Sequence, residues 1–188
     1  MKLHVNQSRT LDELIDGCIR QNGRAQKLMY ERLSPRMYAV CLRYVKDADD
    51  AQDVLLKSFV KAFDQVKKYR REGSFDGWVR RIVVNEALMF LRKHKNMHVA
   101  VDLEEATEVS TPPSTHLEAD DLLRLVQQLP LGYRTVFNLF SIEGYSHAEI
   151  AQKLTISEGT SKSQLSRAKE LLRSMVTNHD RSYRDQLG

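Results

Sequence analysis

Chemistry is most densely spaced in one run, Ser146-His-Ala-Glu-Ile-Ala-Gln-Lys-Leu-Thr-Ile-Ser-Glu-Gly-Thr-Ser-Lys-Ser-Gln-Leu165. Two short helical patterns flank Thr155-Ile156-Ser157. Ser146 and Ser157 stand where N-caps belong, because a serine oxygen there accepts an orphan backbone N–H. Small Ala151 sits where two helices would cross closely, and Ile156 is placed to plug the core between them. This is the pattern of a helix-turn-helix, whose second helix enters the major groove with its N-terminal residues toward the bases. The outward side of that helix would offer Thr160, Lys162, Ser163, Ser166, Arg167 and Lys169. Lysine and arginine reach phosphates or the acceptor edge of guanine; serine and threonine bond less selectively.

A second run has a different chemistry. Lys67, Lys68, Tyr69, Arg70 and Arg71 lead into Glu72-Gly73-Ser74-Phe75, then Trp78, Arg80, Arg81 and Asn85, with Arg92, Lys93, His94 and Lys95 beyond. Cations interleaved with aromatics around a glycine-bearing loop suit single-stranded nucleic acid: the cations track phosphates, and a loop pocket or ring takes an unstacked base. Phe75 and Trp78 have a second reading at that spacing, as core residues of a helix whose charges are merely solvated.

Other chemistries lack their residues. The acidic run Asp47-Ala-Asp-Asp-Ala-Gln-Asp53 would need glycine where Gln52 stands and glutamate where Ser58 stands to be a calcium loop. Asp49 reads instead as a helix N-cap, with Asp50 and Asp53 in the first turn. His94 and His98 have metal-ligand spacing but no evident third ligand, so no metal is expected. No Walker loop, HExxH or nucleophile-elbow signature occurs, which leaves no enzyme signature and no cofactor to expect. Cys18 and Cys41 form no CxxC and read as two reduced, buried thiols, as suits a cytoplasmic chain.

The elements that would position these residues are helical. Leu11, Leu14, Ile15, Cys18 and Ile19 keep a 3.6-residue period, and three further stretches do the same up to Leu91. After residue 119, Leu122 to Leu129 stop at Pro130, Tyr133 to Phe140 run up to Gly144, Ile150 to Leu154 form a short element, and Leu165 to Val176 a longer one. The polar stretch 177–188 is expected to fray. No convincing period-2 strand is present, so the predicted class is all-α. Between lies 98–118, without Lys or Arg and with Thr-Pro-Pro-Ser at 111–114, which reads as an extended acidic linker. The predicted organisation is therefore a helical domain at 1–97, the linker at 98–118 and a second helical domain at 119–188.

The 188 residues carry 29 Lys+Arg against 25 Asp+Glu, a net of only +4. The surplus is unevenly spread: 20 basic against 12 acidic residues in 1–97, none against five in 98–118, and nine against eight in 119–188. A hydrophobic content of 41% is enough for cores. No apolar run reaches the ~18–20 residues of a membrane span, and the opening MKLHVNQSRTLDEL has no stretch of signal-peptide length.

Taken in order, three segments resemble an extracytoplasmic-function (ECF) type sigma factor, the compact group of the sigma-70 family of bacterial transcription initiation factors. Ala51 to Phe63 resembles the helix that binds the polymerase clamp; Phe75 to Arg92 resembles the helix that recognises and melts the −10 element; Leu129 to Ser163, with Leu129-Pro130, Arg134 to Phe137, Glu143-Gly144, Glu149 to Ala151 and Gly159 to Ser163, resembles the −35-binding domain. The resemblance implies that Asp53, Val54, Leu56, Lys57 and Val60 contact the coiled coil of the largest polymerase subunit, with the back domain near the flap. It implies −10 contacts from Lys67, Tyr69, Arg70, Arg71, Ser74, Phe75, Trp78, Arg81 and Asn85. It implies −35 contacts from Gly159, Thr160, Lys162, Ser163, Ser166 and Arg167. It further implies a linker that runs through the polymerase, an anti-sigma partner and no membrane insertion.

Four positions depart from the family pattern. Lys57 reverses a common charge, and Arg80 replaces an uncharged residue. Thr155 stands where glycine is frequent in the turn, so the turn is expected to be strained or of another geometry. Gln164 replaces a frequent basic residue, which is expected to alter −35 preference or weaken a phosphate contact. A stand-alone helix-turn-helix regulator with a sensory or dimerising front domain is the alternative; the basic, aromatic loop of the front half favours single-stranded DNA over a small ligand.

Overall fold

Thr10 opens the first helix, α1 (Leu11–Ile19), through a reciprocal cap: its hydroxyl accepts from the Glu13 N–H at 3.3 Å, and Glu13 accepts from the Thr10 N–H at 2.9 Å. The computed structural model describes residues 10–94 and 119–187, so the 98–118 linker and His98 lie outside the described residues. Gln21, in left-handed backbone, turns the chain, and the Asn22 side chain caps α2 (Gly23–Tyr44) by accepting from the Ala25 N–H at 3.0 Å. α1 and α2 meet so closely that a Cβ on Gly17 would stand 2.4 Å from Ala25 Cβ. α2 continues through Pro35, which lies on an exposed position while Met29, Leu33, Met37, Val40 and Cys41 are buried on the other side.

α3 (Ala48–Gln65) corrects one expectation. Its N-cap is Asp47, not Asp49: the Asp47 carboxylate accepts from the Asp49 and Asp50 N–H groups, both at 2.9 Å. Four aspartates lie within seven residues, each a good cap, so spacing alone did not fix which one serves. Phe59 of α3 meets Tyr30 of α2 edge-on at 4.8 Å. A 3₁₀ turn (Val66–Lys68) and a loop then lead to α4 (Phe75–His94), where the Ser74 hydroxyl accepts from the Gly77 N–H at 3.0 Å. Cys18 and Cys41 are free and buried, and burial pushes their thiols up to about 11 and about 12.

From residue 119 on come α5 (Ala119–Gln128), α6 (Leu131–Phe137) with a π-helical turn (Asn138–Ile142), α7 (His147–Leu154) and α8 (Glu158–Leu187). Leu125 and Val126 of α5, and Leu129 just beyond its end, pack on Ala168 and Leu172 of α8, with Tyr133, Phe137, Leu171, Met175 and Val176 around them. Arg134 is buried, donates to the Gln127 carbonyl at 3.0 Å, and is pushed down to about 10 by desolvation. The backbone of α8 stays helical to Leu187 where fraying was expected; no proline or glycine lies between Gly159 in its first turn and Gly188. Among the described residues there is no strand, and the fold is all-α. The chain divides into two units, Met1–Phe90 and Leu91–Gly188, with α4 crossing the division near its C-terminus.

Candidate nucleic-acid interface

The helix-turn-helix in the second unit is built from its caps inward. Ser146 and Glu149 form a capping box, with the Ser146 N–H donating to the Glu149 carboxylate at 2.8 Å; these bonds hold that carboxyl below its ordinary range. α7 ends at Thr155 with φ 57° and ψ 46°, and the Ile156 N–H donates to the Ala151 carbonyl at 3.1 Å. The turn thus keeps the left-handed geometry that glycine favours, and a β-branched residue carries the strain. Ser157 caps α8, accepting from the Thr160 N–H at 2.9 Å. Ile156 is half-buried in the turn.

Lys162, Ser163, Ser166, Arg167 and Lys169 are exposed on α8, and so is Gly159. Thr160 is half-buried, its hydroxyl 2.9 Å from that of Ser157. Arg167 donates to the Tyr133 hydroxyl of α6 at 3.3 Å, and Lys162 lies 3.9 Å from Glu158. Gln164 faces away from the exposed side. It is 8% exposed and turned inward, its amide 3.3 Å from where a Cβ on Gly132 would stand. It packs on α6 and is not available to a phosphate.

One contact escaped the sequence reading. Ser161 is fully buried, its hydroxyl 2.9 Å from His147 Nδ1, and the His147 ring stacks on Phe140 with centroids 4.5 Å apart. This polar clasp ties the start of α7 to α8. The signal was present: Ser161 falls on the stripe of Leu165, Ala168 and Leu172, so it had to face inward.

In the first unit the loop between the 3₁₀ turn and α4 is stitched to itself. The Tyr69 hydroxyl donates to the Gly73 carbonyl at 2.8 Å. Tyr69, Phe75 and Trp78 form one aromatic group, with Tyr69–Phe75 at 5.1 Å, Tyr69–Trp78 at 5.7 Å and Phe75–Trp78 at 5.5 Å. Phe75 is only 2% exposed, so its ring is the floor under the loop. Trp78 and Tyr69 are half-buried and keep an open edge. Lys67, Arg70, Ser74, Arg81 and Asn85 are exposed around it, and Arg80 is half-buried. Arg71, in left-handed backbone at φ 59°, pairs with Asp12 at 3.5 Å and with Asp16. Arg36 of α2 holds Asp76, at the start of α4, at 2.9 Å.

α3 carries a face of another kind. Asp53, Leu56, Lys57 and Val60 share one exposed stripe, with Leu56 47% and Val60 62% exposed. Apolar side chains in water, flanked by one charge of each sign, suit a protein partner better than DNA. Val54 is 1% exposed and belongs to the core beneath that stripe. Among the described residues no group of three His, Cys, Asp or Glu is placed to hold a metal, and no helix is long and apolar enough to cross a membrane.

These features define an all-α protein with a helix-turn-helix, a basic aromatic-floored loop and an exposed apolar stripe. Residues 29–97 match the family model for sigma-70 region 2, and residues 119–172 match that for sigma-70, region 4. The chain is 33% identical over 145 residues to RNA polymerase sigma factor SigV of Bacillus subtilis, covering 77% of this chain and 87% of that protein. It is 27% identical over 177 residues to the ECF RNA polymerase sigma-E factor of Haemophilus influenzae, covering 87% and 93%. In fold it is similar to the sigma factor RpoE from Bartonella quintana, solved in complex with the anti-sigma factor NepR: TM-score 0.52 and 22% identity over 80% of this chain and 96% of that one. The chain belongs to the sigma-70 family, as an ECF-type sigma factor.

Proposed function

We propose that this chain binds core RNA polymerase in the bacterial cytoplasm and directs it to promoters by recognising −10 and −35 elements and helping to melt the DNA. The observation that carries the reading is the loop from Tyr69 to Ser74, a basic rim closed over an aromatic floor. A regulator that reads only duplex has no use for such a loop; a factor that captures an unstacked base does. Lys67, Arg70, Arg81 and Asn85 face the melted strand, with Tyr69, Ser74 and Trp78 lining the capture site over Phe75. Melting is driven by holding flipped bases, which offsets the few kcal/mol lost on unstacking.

In the same reading Lys162, Ser163, Ser166 and Arg167, with Gly159 and Thr160 at the helix start, face the −35 element in the major groove. Leu56 and Val60 dock on the clamp coiled coil of the largest subunit, with Asp53 and Lys57 setting register, and the second unit sits near the flap. The chain breaks no covalent bond itself; polymerase does the chemistry. An anti-sigma partner is supported by the relative solved with one. The test is run-off transcription with bacterial core polymerase on a randomised promoter library. Enriched start sites with a two-part upstream motif are expected; no initiation with several core enzymes would overturn the reading.

A further inference from the structure

We propose that Arg71 does not grip promoter phosphate but anchors the strand-capturing loop to α1, making the acid pair Asp12 and Asp16 a positioning element of the −10 site. The inference rests on the function proposed above and reassigns one residue within it.

Four observations meet at this residue. Asp12 and Asp16 are one helical turn apart, so their carboxylates share a face of α1. That helix is fixed at its start by the Thr10–Glu13 box and against α2 by the Gly17–Ala25 contact. The guanidinium of Arg71 spreads over both acids, one nitrogen toward Asp12 at 3.5 Å and the other on Asp16. A planar fork serves two separate carboxylates where a point charge serves one. Arg71 also holds left-handed backbone at φ 59°, unfavourable for a side chain with a Cβ, so its surroundings must over-determine it.

The remaining bonds of the loop are internal: Tyr69 to Gly73 across it, and Ser74 to Gly77 at its exit. They fix its shape. The clasp fixes where its tip stands over the aromatic floor. Its charge is also spent, for two carboxylates face the one cation, whereas Lys67, Arg70 and Arg81 make no ion pair among the described residues. Those three, with Lys68 beside them, are cations left for DNA.

The experiment uses reconstituted holoenzyme and compares Arg71→Ala, the double variant Asp12→Asn/Asp16→Asn, their combination, and the swap Asp16→Arg/Arg71→Asp. Open-complex formation on a promoter should fall about three- to tenfold in the first two, as expected for two exposed ion pairs acting on one geometry. The combination should be no worse than either alone, and the swap should recover part of the loss. The salt dependence of binding to a premelted template should match the unmodified chain in every case. In the free chain, hydrogen exchange of the 70–74 amides should quicken in both variants.

A salt slope shallower by about 0.7 in Arg71→Ala, the mark of one lost single-strand phosphate contact, would overturn the proposal. So would an Asp12→Asn/Asp16→Asn variant that initiates as well as or better than the unmodified chain. If the unmodified chain initiates nowhere, the functional reading fails, and the exchange measurement still decides whether the clasp holds the loop.

Discussion

Thr155 shows how much a single residue can reveal about a turn. A threonine at φ 57° sits where only glycine is relaxed, yet the chain keeps the tight connection between α7 and α8 instead of lengthening it. Thr155→Gly relieves the left-handed penalty but frees the unfolded backbone, so we expect a net stabilisation of about 0.5–1 kcal/mol in urea unfolding. Unchanged −35 preference in the same variant would show that the strain has no part in reading DNA. The limits of sequence reading also appear at this scale. Serine at 146 and 157 has few reasons to precede a helix other than capping, and both caps were legible. Phe75 was not: an aromatic beside a basic loop has the same type and spacing whether it stacks on a base or on its neighbours. Gln164 was legible as a missing cation but not as a packing residue, since only the small Gly132 opposite reveals the crossing its amide fills.

Helices were the legible unit, since a 3.6-residue period in apolar residues survives any error at their ends. What periodicity could not supply was the direction of the polar positions next to the stripe, which depends on the partner helix. α3 illustrates both. Val54 and Leu56 are two residues apart and both apolar, but one is in the core and the other in water. We expect Leu56→Asp/Val60→Asp to weaken binding to core polymerase at least about tenfold with unchanged helicity, since a charge replaces an apolar anchor. Val54→Ala should act instead on stability, by about 2 kcal/mol through its cavity, with affinity intact once folded. A pull-down titration with a parallel unfolding curve separates the two. The α1–α2 crossing makes a sharper prediction. With 2.4 Å between a new Cβ on Gly17 and that of Ala25, Gly17→Ala should destabilise by about 1–3 kcal/mol in urea unfolding, although alanine is the better helix former.

Over the whole molecule, a net charge of +4 conceals the division of labour. The surplus lies in residues 1–97, while 119–188 is nearly balanced. A back unit with so little excess charge lacks the electrostatic term that dominates affinity for duplex DNA. We therefore expect the free chain to bind promoter duplex no tighter than about micromolar at physiological salt, and the holoenzyme at about 10 nM or tighter. Band shifts with and without core polymerase measure the difference; tight binding by the free chain would favour a stand-alone regulator.

The closeness of Gly17 to Ala25 has a mechanical meaning. Two backbones without a methyl's clearance cannot slide past one another, so α1 behaves as a strut braced on α2 rather than as a loose leading segment. A pull on the loop through Arg71 is not absorbed by α1 but passed to α2, and through Arg36 and Asp76 it returns to the first turn of α4. Loop, strut and α4 form a closed frame.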